Sequence, residues 1–411
     1  MNEAWIIDAC RTPRGIGKLG KGALAHIHPQ RLGATVLAAL AERNDLNTAE
    51  IDDIVWGCSA QRGEHGGDLG RMSALDAGYS VTSSAVTLDR FCGSGITSVN
   101  IAAASVMAGM EDCVIAGGCE MMSAAQKSGM ELPLFMDSGN KHLRELHPQP
   151  QQGVCADVIA TLENIDRLEL DRLAVLSQSR AANAIAKGYF DNSLIPVFND
   201  DGSLALDGEE FPRPNTTIDS LAALNPSFAK IADISLDEGG TTYLGLVHKV
   251  YPGLEIKHVH HAGNSSGVVD GAAALLLASP NYAQQQNWTP RARIVAYANM
   301  GDSPTLMLNA PVPAAKKVLA KAGLSVEDID LWEINEAFAV VAEKFIRDFN
   351  LDRDRVNVNG GAIALGHPIG ATGSILIGTV LDELERRNLK RGLVTMCAAG
   401  GMAPAIIIER F

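Results

Sequence analysis

"LGHPIGATGSILIGTVLDEL" occupies residues 365–384, and "LDRFCGSGITSVNIAAASVMAG" at 88–109 is its counterpart in the first half of the chain. Each opens with a glycine-rich turn carrying one reactive side chain, His367 or Cys92, and each runs on into a helical pattern. The two reactive residues lie 275 positions apart. A second echo, "AEIDDIVWG" (49–57) and "VEDIDLWEI" (326–334), sets Trp56 and Trp332 276 positions apart. Amphipathic helical stretches precede both, "PQRLGATVLAALAERNDL" and "PVPAAKKVLAKAGL", and short apolar strands open both halves, "AWIIDAC" and "ARIVAYA". The two helices also feed matching strand-plus-glycine endings, "DCVIAGGCEMMSA" and "LVTMCAAGGMAPAIII". Two echoes at nearly one offset read as a duplicated α/β unit whose parallel strands alternate with helices. Cys92 and His367 then hold pseudo-equivalent positions and face one crevice between the sheets.

The 411 residues are 46% apolar and 20% charged, a globular composition long enough for two or three domains. A net charge of −14 argues against a general nucleic-acid binder, which carries a basic face. No apolar run reaches the length of a membrane span, and the opening "MNEAWIIDACRTP" does not read as a signal peptide. Seven cysteines without CxxC spacing fit free thiols in a reducing compartment, with the cytoplasm as the default. The domain reading is a first half at 1–123 completed by 263–285, an inserted polar segment at 124–262, and a second half at 286–411. The insertion carries Pro- and Gln-rich pieces, "HPQPQQG" and "FPRPNTTIDS", and one clear helix, "LELDRLAVLSQSRAANAIAKG".

Cys92 sits between a strand and a helix start, where unpaired N–H groups and the helix dipole favour a thiolate. It reads as a nucleophile or as a buried structural cysteine. His367 is the only ionisable side chain in 359–373, a stretch with five glycines among fifteen residues. A Cys–His pair suffices for nucleophilic catalysis, and glycines let backbone and substrate approach closely. Cys397 ends an apolar strand and reads by itself as a core cysteine, with a thiol able to reach a cavity as the other reading, and Asn335 stands at a strand-to-helix junction where N-capping is the simpler role. His258 and His260 in "KHVHH" would share one strand face with no carboxylate nearby, so no metal site is expected. Met121, Met122 and Met130 read as packing or loop residues. No standard nucleotide-phosphate loop occurs.

Together "RTPRG", "RFCGSG", "GGCEMMS", "AGNSSGVVDGAAA", "NEAFA", "GGAIALGHPIGATG" and "CAAGGMAPAIIIE" resemble the thiolases (acetyl-CoA acetyltransferases and 3-ketoacyl-CoA thiolases) over essentially the whole chain. The resemblance implies duplicated βαβαβαββ halves in a layered αβαβα core, with an inserted loop domain over the CoA site. It implies an acyl-enzyme on Cys92, His367 as its base, Cys397 as the acid–base at the substrate α-carbon, and Asn335 holding a water in an oxyanion hole with His367. A second oxyanion hole would use the amides of Cys92 and Ala399. CoA contacts carry over to Ser266, Arg213 and Ser220, and pocket positions to Gln152 and Met307. The resemblance implies acyl-CoA and CoA as partners, no further cofactor, no metal, no membrane, and a homodimer or homotetramer. The chain departs from the family pattern in Gln152, where short-chain members carry methionine, in "CAAGG" for the more usual "CxGGG", and in an extra segment near 231–258. Gln152 and the extra segment point to a longer or bulkier acyl group than acetoacetyl, whereas "CAAGG" only makes the second oxyanion donor an alanine amide. A decarboxylating ketoacyl synthase, or a thiolase-like binding protein without catalysis, are the alternatives.

Overall fold

The computed structural model describes residues 3–127 and 136–411. Met130 lies outside the described residues. The first half runs β1 (Trp5–Arg11), α1 (Pro29–Arg43), β2 (Asp53–Gly57), β3 (Val86–Leu88), α2 (Ser94–Ala108) and β4 (Cys113–Met121). An insertion follows with α3 (Gln152–Leu162), α4 (Arg167–Ala186) and α5 (Tyr243–Val250), before β5 (Val269–Ala278) rejoins the first sheet. The second half runs β6 (Ala292–Gly301), α6 (Pro311–Ala322), β7 (Leu331–Ile334), α7 (Ala339–Phe349), α8 (Ile369–Arg387), β8 (Arg391–Thr395) and β9 (Met402–Arg410).

The strand order is β3-β2-β4-β5-β1 in the first half and β7-β8-β9-β6 in the second. A lone parallel bridge, Trp332 to Val356, stands where β2 pairs β3, so the two orders are the same. Among the described residues the halves pair edge to edge through Trp5 with Arg293 and Ile6 with Ala292. The sheets are mixed rather than all parallel. β2, β3 and β4 are parallel, as are β7 and β8, but β4–β5 and β8–β9 are antiparallel. The cause is connectivity: an antiparallel pair needs only a hairpin, which in the second half is the turn that carries Cys397. In the first half the same connection holds the whole insertion. Glu209 ties that insertion back, buried against Arg11 (2.6 Å) and Arg14 (2.7 Å).

Side-chain alternation along the strands builds the layers. Ile54 and Trp56 face α1 on one side of β2, while Val55 faces the other way among Ile96 and Val99 of α2 and Ile377 of α8. In β7, Trp332 and Ile334 pack with Val318 and Phe345 of α6 and α7, and Leu331 points inward. The echoed tryptophans thus fill the two outer layers, each burying roughly 150–250 Å², on the order of 4–6 kcal/mol of transfer free energy. α2 and α8 form the middle layer between the sheets. The expectation that no stretch is long and apolar enough for a membrane span is corrected: Phe91–Ala108 has that length and hydropathy, but it is mostly buried in this layer.

Candidate active site

The middle helices touch at their starts, and glycine makes this possible. A Cβ on Gly373 would lie 2.1 Å from the Ile96 nitrogen, and one on Gly95 2.8 Å from the Ser374 nitrogen. Ser374 Oγ donates to the Gly95 carbonyl at 3.1 Å, locking the contact. The expectation that the glycines of 359–373 make room for substrate is therefore corrected. All five pack on protein: Gly360 on α4, Gly361 on the Glu336 carboxylate, Gly366 on Val269, Gly370 on the Gly57 carbonyl and Gly373 on Ile96. Only Gly360 and Gly366 also need left-handed backbone, at φ +80° and +90°.

Cys92 sits on a tight turn whose preceding residue, Phe91, takes φ +51°. Ser94 Oγ pins that turn, accepting from the Arg90 amide (2.9 Å) and donating to the Phe91 carbonyl (2.7 Å). Cys92 is partly exposed as a residue, yet desolvation around its sulfur pushes the thiol up to about 12, with its own amide opposing and Glu120 and Asp89 adding to the rise. The helix-start preference for a thiolate is thus outweighed by desolvation, and the resting group is a thiol. Cys397 is 1% exposed, and burial pushes its thiol up as well; a thiolate formed on neighbouring Cys92 would push it further. The two turns are in contact, since a Cβ on Gly93 would meet Pro404 at 2.8 Å and Ala398 at 3.4 Å. Ala399 leads into two left-handed glycines, Gly400 and Gly401, both at φ +77°. Its N–H donates to no protein acceptor among the described residues.

His367 stands two residues before α8, 5% exposed, and burial lowers its imidazole to about 4. Nδ1 lies 2.6 Å from Thr372 Oγ1, and that hydroxyl also reaches the Pro368 carbonyl at 2.9 Å. One hydroxyl proton serves two acceptors. When it goes to Pro368, Nδ1 carries the ring proton and Nε2 is a free base; when it goes to Nδ1, Nε2 carries the proton and is a donor. Nε2 stands 3.4 Å from Asn335 Nδ2. Asn335 is 1% exposed, and its Oδ1 has no protein partner among the described residues. It does not cap α7: that helix starts at Ala339 with Phe338 as its N-cap. The N-cap reading is set aside.

Two buried carboxylates that the sequence reading passed over hold this geometry. Glu120, at the end of β4, accepts from the Ser59, Ala60 and Gly370 amides, each at 2.9 Å. It thereby joins the loop after β2 to the first turn of the His367 helix. Glu336 accepts from Ser177 Oγ (2.6 Å), Asn357 Nδ2 (2.9 Å) and the Ile363 amide (3.3 Å), fixing the loop before His367. Both lie inside quoted motifs, "GGCEMMS" and "NEAFA". A carboxylate within an apolar run is the signal that could have found them, since buried charge requires partners.

The CoA candidates come together on one face. Phe211 packs on Gly267 beside Ser266, and the exposed Arg213 guanidinium stands 5.7 Å from the Phe211 ring. Leu221, next to Ser220, packs on Gly263. The Ser220 hydroxyl is engaged in a capping box, donating to the Thr217 carbonyl (2.8 Å) and accepting from its amide (2.9 Å). Of the pocket candidates, Met307 is 2% exposed in one apolar cluster with Phe338 and Cys397. Gln152 is exposed at the first position of α3. The "KHVHH" segment is irregular rather than a strand, and a carboxylate does serve it: Asp157 accepts from Nδ1 of both His258 and His260 at 2.7 Å. Among the described residues no group of three metal-ligating side chains comes together.

Residues 4–235 match the family model for the thiolase N-terminal domain, and 288–410 that for the thiolase C-terminal domain. The chain is 38% identical to the steroid 3-ketoacyl-CoA thiolase FadA6 of Mycobacterium tuberculosis, covering all of this chain and 95% of that protein. It is also 38% identical to a beta-ketoadipyl-CoA thiolase of Acinetobacter baylyi over the full length of both. The crystal structure of the Bacillus anthracis acetyl-CoA acetyltransferase superimposes with a TM-score of 0.84 at 32% identity, covering 100% of this chain and 99% of that one. With both domains matched and full-length relatives on the same fold, the chain belongs to the thiolase family.

Proposed function

We propose that this thiolase cleaves a 3-ketoacyl-CoA with CoA, giving acetyl-CoA and a shortened acyl-CoA, or runs the reverse Claisen condensation, through an acyl-enzyme on Cys92. The observation that carries the reading is the meeting of two thiol-bearing turns with a buried imidazole–carboxamide pair where the halves join. His367 Nε2 takes the Cys92 proton as the sulfur attacks the C3 carbonyl, because the thiol does not ionise by itself in this buried setting. The C2–C3 bond then breaks, and the acetyl-CoA enolate takes a proton at carbon from Cys397. The imidazolium proton restores that thiol. Free CoA next gives its proton to His367 and attacks the acyl-Cys92 thioester, and Cys92 leaves and is reprotonated. A poor carbon acid needs its enolate oxygen stabilised by fixed donors. Protonated Nε2 and a water on Asn335 Oδ1 would supply them, and the Ala399 and Cys92 amides would serve the tetrahedral intermediates.

CoA itself is a co-substrate, held along Ser266, Arg213 and Ser220. An acyl group larger than acetoacetyl is supported by the extra segment. Its helix α5 packs Leu246 and Val247 on Val154 and Val158 of α3, in a cluster that reaches Leu306, beside Met307. The steroid and beta-ketoadipyl relatives point the same way. A homo-oligomer in a reducing compartment such as the cytoplasm fits the family and the free thiols at all seven cysteines.

The test combines thiolysis assays over straight, branched, cyclic and ω-carboxylated 3-ketoacyl-CoA substrates with a Cys397→Ser variant. That variant should still acquire an acyl adduct on Cys92 by mass spectrometry yet lose exchange of the acetyl-CoA methyl protons. Full-rate exchange would contradict the assigned base. No adduct on folded wild-type protein would favour a non-catalytic binding protein.

A further inference from the structure

Asp157, on α3, is completely buried and accepts four hydrogen bonds. They come from the amides of Val259 (3.1 Å) and His260 (3.0 Å) and from Nδ1 of His258 and His260, both at 2.7 Å. Burial pushes its carboxyl up, but the hydrogen bonds from His258 and His260 outweigh it and hold the group below the usual range. An ionised acceptor fixes the tautomer: both rings carry their proton on Nδ1, and Nε2 of each points away from Asp157. His260 is 0% exposed, and its Nε2 has no protein partner among the described residues.

Native interiors seldom leave such a nitrogen unpaired, and where they do the group usually awaits a ligand or water. Its surroundings indicate which. The His260 ring packs edge-on against Phe338, with centroids 5.7 Å apart at 85°. Phe338 lies three residues beyond Asn335 and shares an apolar cluster with Met307 and Cys397. It also meets Phe228 (5.7 Å, 74°), whose ring covers Gly153 beside the pocket candidate Gln152. The unpaired nitrogen therefore belongs to a ring that packs on the apolar cluster containing Met307 and Cys397 and is held through Nδ1 by a carboxylate.

We propose, resting on the thiolase reading, that His260 is a specificity-determining residue whose Nε2 hydrogen-bonds an oxygen substituent on the acyl chain beyond C3. Neutral, the ring accepts from a hydroxyl; protonated and backed by Asp157, it donates to a carboxylate. An acyl chain without oxygen gains nothing from it.

Three six-carbon substrates separate the cases: 3-ketohexanoyl-CoA, 6-hydroxy-3-ketohexanoyl-CoA and 3-ketoadipyl-CoA, assayed by thiolysis with wild type and His260→Leu. The expected result is a tenfold to hundredfold fall in kcat/KM for the hydroxylated or the carboxylated substrate, the size of one lost hydrogen bond. Activity on 3-ketohexanoyl-CoA should stay within about threefold, because that chain offers Nε2 no oxygen and Asp157 keeps its bonds from His258 and the two amides. Which oxygenated substrate falls identifies the group recognised. If all three fall by one factor, His260 is only structural; if none falls, the nitrogen serves a water; either result overturns the proposal. If wild type cleaves another 3-ketoacyl-CoA of the wider series but none of these three, the proposal is overturned; if it cleaves none of the series while folded, the thiolase reading fails and the proposal with it. Should the Leu variant not fold, His260→Met is read by the same criteria.

Discussion

Thr372→Val tests the state of the catalytic imidazole without disturbing its packing. Valine nearly matches threonine in shape, and Thr372 is 1% exposed, so the substitution leaves no cavity. What it removes is the 2.6 Å contact to His367 Nδ1 and the 2.9 Å bond to the Pro368 carbonyl. Nδ1 then has no partner in a buried site, and neither the ring's orientation nor its tautomer is fixed. Losing one hydrogen bond to a buried group costs about 1–3 kcal/mol. Expressed in the transition state, that is roughly a 5- to 150-fold loss in kcat. KM should change little, because the bond acts on proton transfer rather than on CoA binding. Steady-state thiolysis with the best substrate measures both constants, and Thr372→Ser should recover most of the rate while the thermal midpoint of all three proteins stays close. A Val variant with wild-type kcat, or one that changes KM alone, would refute the argument that Thr372 controls Nε2.

Two further outcomes follow from the same geometry. Burial holds His367 neutral down to about pH 4, below its ordinary value of 6.5. Its base form is thus present throughout the range above about 4 and is lost only as pH falls through that value. The pH profile of kcat/KM should show no acid limb near 6.5, and one there would mean that the imidazole is solvated. Gly373→Ala would place Cβ 2.1 Å from the Ile96 nitrogen, a backbone atom that cannot rotate away. Little soluble protein should accumulate in expression trials, and a soluble variant with an unchanged melting temperature would disprove the close helix approach.

The duplication was legible because both halves repeat the same local chemistry at one offset: a tryptophan strand, then a reactive residue in a glycine turn. Cys92, His367, Cys397 and Asn335 could be singled out for the same reason, as unusual residues at strand and helix ends. The antiparallel pairing within each half was not legible, because "CVIAGGCEM" and "VDGAAALLLA" read as apolar strands whichever way they run. Nor was the purpose of the glycines. Sequence shows that backbone must come close to something, but only the folded chain shows that the something is Ser374, Ile96 and Gly57 rather than substrate.

Local pattern thus determined which elements form and which side chains are chemically conspicuous, since both depend on neighbours in the chain. Protonation belonged to the tertiary structure. A helix start favours a thiolate at Cys92, yet desolvation of its sulfur in the folded chain reverses the preference. The state of His367 likewise depends on Thr372, five residues on, and on Asn335, 32 residues back. Desolvation and hydrogen-bond partners come from residues distant in sequence. They decide which groups hold protons, and hence which of them can act as acid, base or nucleophile.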